Sequence, residues 1–371
     1  MWRAGTPCRD LWPGFAGPPR GSYRQISMSL PDADPRLLLL AEWLTTSLRS
    51  SAFTLAPASE DASFRRYFRV TLEAPHALAP GAATLIAMDA PPPREDCRPF
   101  VHVAALMDAA GIHAPRVLAQ DLERGFLLLT DLGPTTYLRA LDADNADALF
   151  GDAVDALLRW QIASRPDVLP PYDEALLRRE LELFPEWYVG RHLGHALTHD
   201  ERADLSRVFA TIIASNLAQP TVYVHRDYMP RNLMVSTPNP GVLDFQDAVY
   251  GPITYDIASL FRDAFVSWPD ERVLDWTIRY WEKARRAGLP VTTDFAEFHR
   301  DCEWMGLQRH LKVLGIFARI RHRDGKAGYV EDTPRFLAYV RPVAERYREF
   351  APLARLLDRL ERRTRTVGYT F

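Results

Sequence analysis

The pattern of apolar and polar positions divides the chain near residue 132. Before that point, short apolar runs alternate with polar turns. Residues 59–70 (SEDASFRRYFRV) and 84–88 (TLIAM) carry strand formers, among them Phe64, Tyr67 and Phe68. Residues 116–119 and 126–129 are two further short strands, joined by turn-forming residues 121–125. Two helices accompany them. Residues 36–48 place Leu37, Leu40, Ala41 and Leu44 on one stripe behind a cap at Asp32 or Asp34, and residues 97–110 space Phe100, Val103, Ala104 and Met107 helically until Gly111 stops them. Three consecutive prolines, Pro91 to Pro93, keep the preceding strand from running on into that helix.

Beyond residue 132 the period becomes mainly helical. Helices are expected over 145–162, 172–193, 200–217, 255–265, 273–287, 303–320 and 333–360, with Pro185 kinking or restarting the second. Asp256 is placed to cap the 255–265 helix or to hold a neighbouring loop through backbone N–H groups. The 303–320 helix is apolar around most of its circumference, apart from a stripe of Gln308, Lys312, Gly315 and Arg319 with Arg309 beside it. Cations on a mostly buried helix need partners, so the stripe either lines a cleft for an anionic ligand or pairs with acids of adjacent helices. The pattern as a whole specifies an α+β protein with a small β-rich N-terminal lobe, residues 29–132, and a larger, mostly helical C-terminal lobe, residues 133–371.

Composition narrows the class. With 371 residues, 47% hydrophobic and 25% charged, the chain reads as an ordinary soluble globular protein large enough for two lobes. Its 45 basic and 48 acidic residues give a net charge of −3, which offers nothing to a polyanion, so no nucleic-acid partner is expected. Nor does the sequence suggest an obligate protein partner. Cys8, Cys97 and Cys302 are too few and too scattered for a disulfide framework, which suits a reducing cytoplasm. The longest strongly apolar runs, 37–40 and 126–129, are far too short to span a membrane. Residues 1–28 are rich in Gly, Pro and Arg without any period, and are expected to be a disordered extension with Met28 as the true start.

Candidate chemistry concentrates in residues 221–247 (TVYVHRDYMPRNLMVSTPNPGVLDFQD). Strand 222–224 leads into a loop holding His225, Asp227, Arg231 and Asn232; strand 233–235 returns; after a turn, strand 241–243 delivers Asp244. The spacing H-x-D-x-x-x-x-N followed by a strand-end Asp is what phosphoryl transfer needs: one carboxylate to accept the proton of an attacking hydroxyl, and oxygen ligands for a magnesium ion. Upstream, the small polar residues 59–63, ending in Ser63, suit a phosphate-covering hairpin, with Arg65, Arg66 or Arg69 as cations; the alternative is a plain surface hairpin. Backbone groups around Leu129, Thr130 and Asp131, at the exit of the last N-terminal strand, suit adenine recognition at a hinge. The Pro185 bend sets Glu182 and Tyr188 where a pocket wall would lie, although aromatic residues at this spacing are more often core.

These blocks resemble the aminoglycoside phosphotransferase-like, or choline-kinase-like, branch of the protein-kinase fold, with HRDYMPRN and LDFQD matching its catalytic and metal-binding motifs. A closer likeness, over about residues 30–360, is to the bacterial anomeric kinases of N-acetylmuramate and N-acetylglucosamine; SEDASFRRYFRV, AQDLERGFLLLTDLG, ALLRRELELFPEWYVGRHLG and GLQRHLKVLGIFARI carry it. The resemblance implies a bilobal protein-kinase-like fold, ATP as phosphate donor, Mg2+, and transfer to the C1 hydroxyl of an amino sugar in cell-wall recycling. By motif position it makes Asp227 the base, His225 a loop-orienting residue, and Asn232 and Asp244 the metal ligands, with Asp256 a structural aspartate behind the loop. For such a sugar the Arg309, Lys312 and Arg319 stripe would answer the lactyl carboxylate, and Asp247, Glu182 and Tyr188 are further candidate sugar contacts. One departure stands out: Met88 occupies the position of the phosphate-binding lysine, leaving Arg65, Arg66, Arg231 and Lys312 as replacements. A kinase for an aminoglycoside or amino alcohol, or a non-catalytic nucleotide-binding regulator, are the competing readings.

Overall fold

The computed structural model describes residues 34–59, 64–326 and 328–361. The expected extension at 1–28 and Ser63 lie outside the described residues. Asp34 accepts the Arg36 N–H at 2.9 Å and starts α1 (Pro35–Leu48), which buries Leu40, Trp43, Leu44 and Leu48. Five antiparallel strands follow: β1 (Phe53–Ser59), β2 (Arg66–Leu72), β3 (Thr84–Asp89), β4 (Val117–Asp121) and β5 (Phe126–Thr130), in spatial order β1-β2-β3-β5-β4. Sequence reading missed β1, whose residues 53–58 are exposed or half-buried and which contains Pro57, features that a strand tolerates only at a sheet edge.

Both faces of the sheet are covered, and parity decides which residue meets which helix. Phe68, Val70, Leu85, Ala87, Phe126 and Leu128 pack against α1. Met88, Leu127 and Leu129 point the other way, into a core shared with α2 (Arg98–Ala109), which contributes Phe100, Val103 and Met107, and with the second lobe. At the exit of β5, Asp131 accepts from Arg69 Nε at 2.6 Å and from the Gly133 N–H at 2.9 Å, tying β2 to the connection between lobes.

The second lobe contains α3 (Tyr137–Ala140), α4 (Ala146–Ile162), α5 (Glu174–Leu181), α6 (His199–Ala218), β6 (Thr221–Val224), β7 (Leu233–Met234), β8 (Gly241–Val242), β9 (Val249–Pro252), α7 (Tyr255–Phe261), α8 (Asp270–Arg286), α9 (Phe295–Asp324), α10 (Thr333–Arg346) and α11 (Ala351–Leu360). Strands β6 and β9 pair, as do β7 and β8, and together they frame the 221–247 segment. After α5 the chain re-forms as a π-helix, Phe184–His192, with Pro185 in its first turn, which is the restart that proline predicts. Helix α7 stops earlier than its apolar pattern suggests, because the buried Asp263 carboxylate takes the N–H groups of Phe265 and Val266 at 2.8 and 3.1 Å. Among the described residues no helix is long and apolar enough to cross a membrane.

Helix α9 runs through the centre of this lobe. It lies so close to the start of the π-helix that a Cβ on Gly315 would stand 2.4 Å from the Leu183 backbone, so Gly315 serves packing rather than a polar stripe. Lys312 and Gln308 do not line an open cleft. Lys312 Nζ lies 2.8 Å from Glu180 of α5, and Gln308 Nε2 lies 3.1 Å from the same carboxylate. Arg226 meets the same Glu180 oxygen as Lys312, at 2.5 Å, and the Tyr172 hydroxyl donates to the other. Of the two expected alternatives, pairing with an acid of an adjacent helix is the one observed for Lys312, within a buried ion network, because α5 presents one acid, Glu180, on its otherwise apolar face. Arg309, 2% exposed, is likewise enclosed.

Burial opposes the charge on Glu180, but Lys312 and Arg226 outweigh it and hold its pKa down at about 2, below its ordinary 4.5. A depressed carboxyl stabilises the fold fully above about pH 4.5 and loses that contribution as pH falls towards 2. Glu180→Gln is expected to cost roughly 3–5 kcal/mol in urea unfolding, since it strands two buried cations. The loss of stability that the parent chain shows below pH 4.5 should shrink in the variant. A cost under about 1 kcal/mol would show that the network is not a structural element.

Candidate active site

The 225–232 loop hangs on a few backbone bonds that fix where its side chains point. Asp256, fully buried at the start of α7, accepts the His225 N–H at 2.7 Å with one oxygen and the Arg226 N–H at 3.0 Å with the other. Of its two readings from sequence, the loop-holding one is correct, since the N-cap of α7 is Thr254. These two bonds hold Arg226 in the left-handed region, φ 76°, which a non-glycine residue occupies only when its surroundings over-determine it. Burial pushes the Asp256 carboxyl up to about 7, while the two N–H donors and the buried Arg309 behind it favour its charged form. Arg309 thus sits beneath the loop, donating to the Arg262 carbonyl at 3.4 Å with Met229 above it.

His225 joins the loop to the strand that delivers Asp244. Its Nδ1 accepts the Asp227 N–H at 3.2 Å, and its Nε2 lies 3.0 Å from the Leu243 carbonyl, to which it donates. That pairing requires a neutral imidazole with the proton on Nε2. Complete burial enforces neutrality by lowering the His225 pKa from 6.5 to about 4. The Tyr228 hydroxyl anchors the next turn to the Ala153 carbonyl at 2.7 Å.

Asp227, Asn232 and Asp244 converge. Asn232 Nδ2 donates to the Asp227 carbonyl at 2.9 Å and approaches Asp244 Oδ2 at 3.3 Å, and the Leu243 N–H returns to the Asn232 carbonyl at 2.9 Å. Asp244 also has a left-handed backbone, φ 62°, and Gln246 Nε2 donates to its Oδ1 at 2.8 Å. The Asn232 side-chain amide thus bridges the Asp227 backbone and the Asp244 carboxylate, bringing the loop and the Asp244 strand end together. Arg231 lies on the same loop, its guanidinium 5.1 Å from the Phe265 ring centroid.

Other sequence candidates separate into those near this group and those that are not. Arg65 reaches the cleft and pairs with Glu95 at 3.0 Å, while Arg66 projects to the opposite sheet face and pairs with Asp34 and Asp89. Leu129, Thr130 and Asp131 form the strand exit at the lobe connection, where the Asp131 side chain is committed to Arg69 and Thr130 Oγ1 accepts the Arg116 N–H at 2.9 Å. Asp247 is exposed beside the site, its carbonyl accepting from Arg226 at 3.3 Å. Tyr188 is 4% exposed and stacks on Phe184, which corrects its reading as a pocket wall: the helical spacing signalled core. Glu182 is exposed on the α5 side. Arg309 and Lys312 support the loop from below.

Glu95, Glu180 and Gln246 escaped sequence reading. Glu180 left a signal, a single acid in the apolar stripe that Leu177, Leu181 and Phe184 define, matching the single lysine in the stripe of α9. Gln246 left none, because adjacency to Asp244 says nothing about which way either side chain turns.

Comparison with known proteins follows the same geometry. A model described as the phosphotransferase enzyme family matches residues 54–291. The N-acetylmuramate/N-acetylglucosamine kinase of Pseudomonas putida is 56% identical, covering 90% of this chain and 98% of that protein. The protein of the same name from Pseudomonas aeruginosa is 53% identical, covering 91% and 96%. Among solved structures, choline kinase from Cryptosporidium parvum superposes with a TM-score of 0.59 at 12% identity over 86% of this chain and 99% of that one, a likeness of fold. A kinase-like pair of lobes, a family match over most of the chain and relatives more than half identical along nearly their full length lead to one assignment: the chain belongs to the phosphotransferase enzyme family.

Proposed function

We propose that this chain transfers the terminal phosphoryl group of ATP to the C1 hydroxyl of N-acetylmuramate and of N-acetylglucosamine. The product is the α-1-phosphate, and the reaction serves cytoplasmic reuse of cell-wall sugars towards UDP-N-acetylmuramate. The observation that carries the substrate class is identity of 53–56% over 96–98% of the length of relatives named for both sugars. The enclosed Arg309 and Lys312 offer no cationic site for a lactyl carboxylate, so the sugar assignment rests on those relatives rather than on the α9 charges.

The arrangement supports a short reaction sequence. A hemiacetal hydroxyl is the most acidic in an aldose, so a carboxylate is an adequate base for it. Asp227 accepts its proton as the sugar oxygen attacks the terminal phosphorus, and ADP leaves on the opposite side. His225 does not exchange protons in this scheme. Neutral and buried, it keeps Asp227 in register with the strand carrying Asp244. Asn232 and Asp244 would hold magnesium, which when bound supplies positive charge against the phosphate oxygens. Among the described residues no three His, Cys, Asp or Glu side chains form a metal cluster, which suits an ion that depends on few protein oxygens together with the donor's phosphates. Arg231, on the same loop, adds a cation at the mouth of the site.

Asp227→Asn is expected to fold and bind nucleotide while losing turnover by roughly 10²–10⁴-fold. Near-parental turnover in a coupled ADP-release assay would remove Asp227 as the base. An ATP-consumption screen across N-acetylmuramate, N-acetylglucosamine, other sugars and aminoglycosides should favour the two acetylated amino sugars, with phosphorus NMR showing an anomeric phosphate. A phosphomonoester elsewhere on the ring would overturn the C1 assignment even if the sugar were consumed.

A further inference from the structure

The lysine position on β3 is occupied by Met88, which is fully buried in the core under the sheet. Some other group must therefore meet the donor's phosphates, and strand parity selects it. Tyr67 lies directly opposite Met88 in the β2–β3 pairing, so the two side chains share a face. Arg65 precedes Tyr67 by two residues and continues that face; Arg66 falls on the other, opposite Asp89, among the groups that hold α1.

Arg65 is also held in place. Its Nε pairs with Glu95 at 3.0 Å, the second oxygen of Glu95 accepts the Phe64 N–H at 3.2 Å, and both side chains are mostly enclosed, at 14% and 13% exposure. A kinase braces its phosphate-binding lysine with an acid in the following helix; here the acid stands just before α2, and the cation sits on the neighbouring strand. Burial opposes the charge on Arg65, but Tyr67, Glu95, Asp247 and Asp244 outweigh it and keep the guanidinium protonated. Four residues along the same face, Arg69 marks the lobe connection through Asp131. At strand rise, Arg65 lies about 14 Å further along, on the scale of a nucleoside triphosphate extended from its base to its phosphates.

We propose that Arg65, braced by Glu95, grips the phosphates of the donor nucleotide and takes over the task that Met88 leaves open. This rests on the ATP-dependent reading above. Glu95 is then a positioning residue.

The test is calorimetric binding of ATP, ADP and adenosine to the full chain, in the parent and in Arg65→Gln, Arg65→Lys, Glu95→Gln and Arg66→Gln. Arg65→Gln is expected to weaken ATP and ADP at least tenfold while leaving adenosine within twofold; Arg65→Lys, which keeps the charge, should recover most of the loss. Glu95→Gln should raise the KM for ATP several-fold without moving that for sugar. Arg66→Gln, on the opposite face, should lower thermal stability without a selective loss of phosphate affinity. ATP binding within twofold of the parent in Arg65→Gln, or an equal loss of adenosine, overturns the assignment of Arg65. Failure of the parent chain to bind ATP overturns the kinase reading itself, so the two failures are separable.

Discussion

Two buried carboxylates, Glu180 and Asp256, hold the 225–232 loop, and each needs a positive charge behind it. Helix α9 provides both. Lys312 lies against Glu180, which in turn grips the Arg226 guanidinium; Arg309, one turn earlier, packs against Met229 of the loop, and its charge favours the ionised form of Asp256, which holds the His225 and Arg226 amides. A carboxylate in such a place would be costly alone, and so would either cation. Together they position a loop whose left-handed Arg226 would not persist without them. Helix α9 therefore braces the 225–232 loop, and through it would act on the proposed reaction centre from behind.

The same principle organises the other lobe. Asp89 is fully buried and lies under two arginines, Arg36 of α1 and Arg66 of β2, so helix and sheet are joined by charge as well as by the Leu40, Trp43 and Leu44 contacts. The alternation of β2 then divides its arginines. Arg66 serves the fold, Arg69 ties the strand to the lobe connection, and Arg65, on the face of Tyr67 and Arg69, pairs with Glu95 ahead of α2. Donor and acceptor substrates would meet between these lobes, over a loop pinned from below and beneath a sheet whose cleft face carries cations.

Much of this was legible in the sequence, because the period of the apolar residues is local information. The places of most helices, the restart at Pro185, the short strands around Asp227 and Asp244, and the resemblance carried by HRDYMPRN and LDFQD all follow from nearest neighbours in the chain, whereas several bounds do not: α9 begins at Phe295 rather than near residue 303, and the expected 333–360 helix is broken into α10 and α11. Strand β1 was not legible, since an exposed edge strand has little apolar pattern to display. The function of the α9 cations stayed open between a ligand and an acid of a neighbouring helix for a different reason. A lysine on an apolar face announces that it needs an anion, but whether that anion is a ligand or Glu180, 132 residues earlier, depends on which helices pack together. The choice between Arg65 and Arg66 was open in the same way until strand register assigned their faces.

The most direct measurement of the role given to α9 is a pair of Michaelis profiles, with sugar varied at saturating ATP, for the parent chain and Lys312→Met. If Lys312 acts through Glu180 and Arg226 on the loop, kcat should fall about tenfold or more while the sugar KM stays within about twofold, since a group that only positions the base changes the transition state more than the bound ground state. A sugar KM raised about tenfold at near-parental kcat would place Lys312 against the substrate and contradict a purely supporting role for the helix.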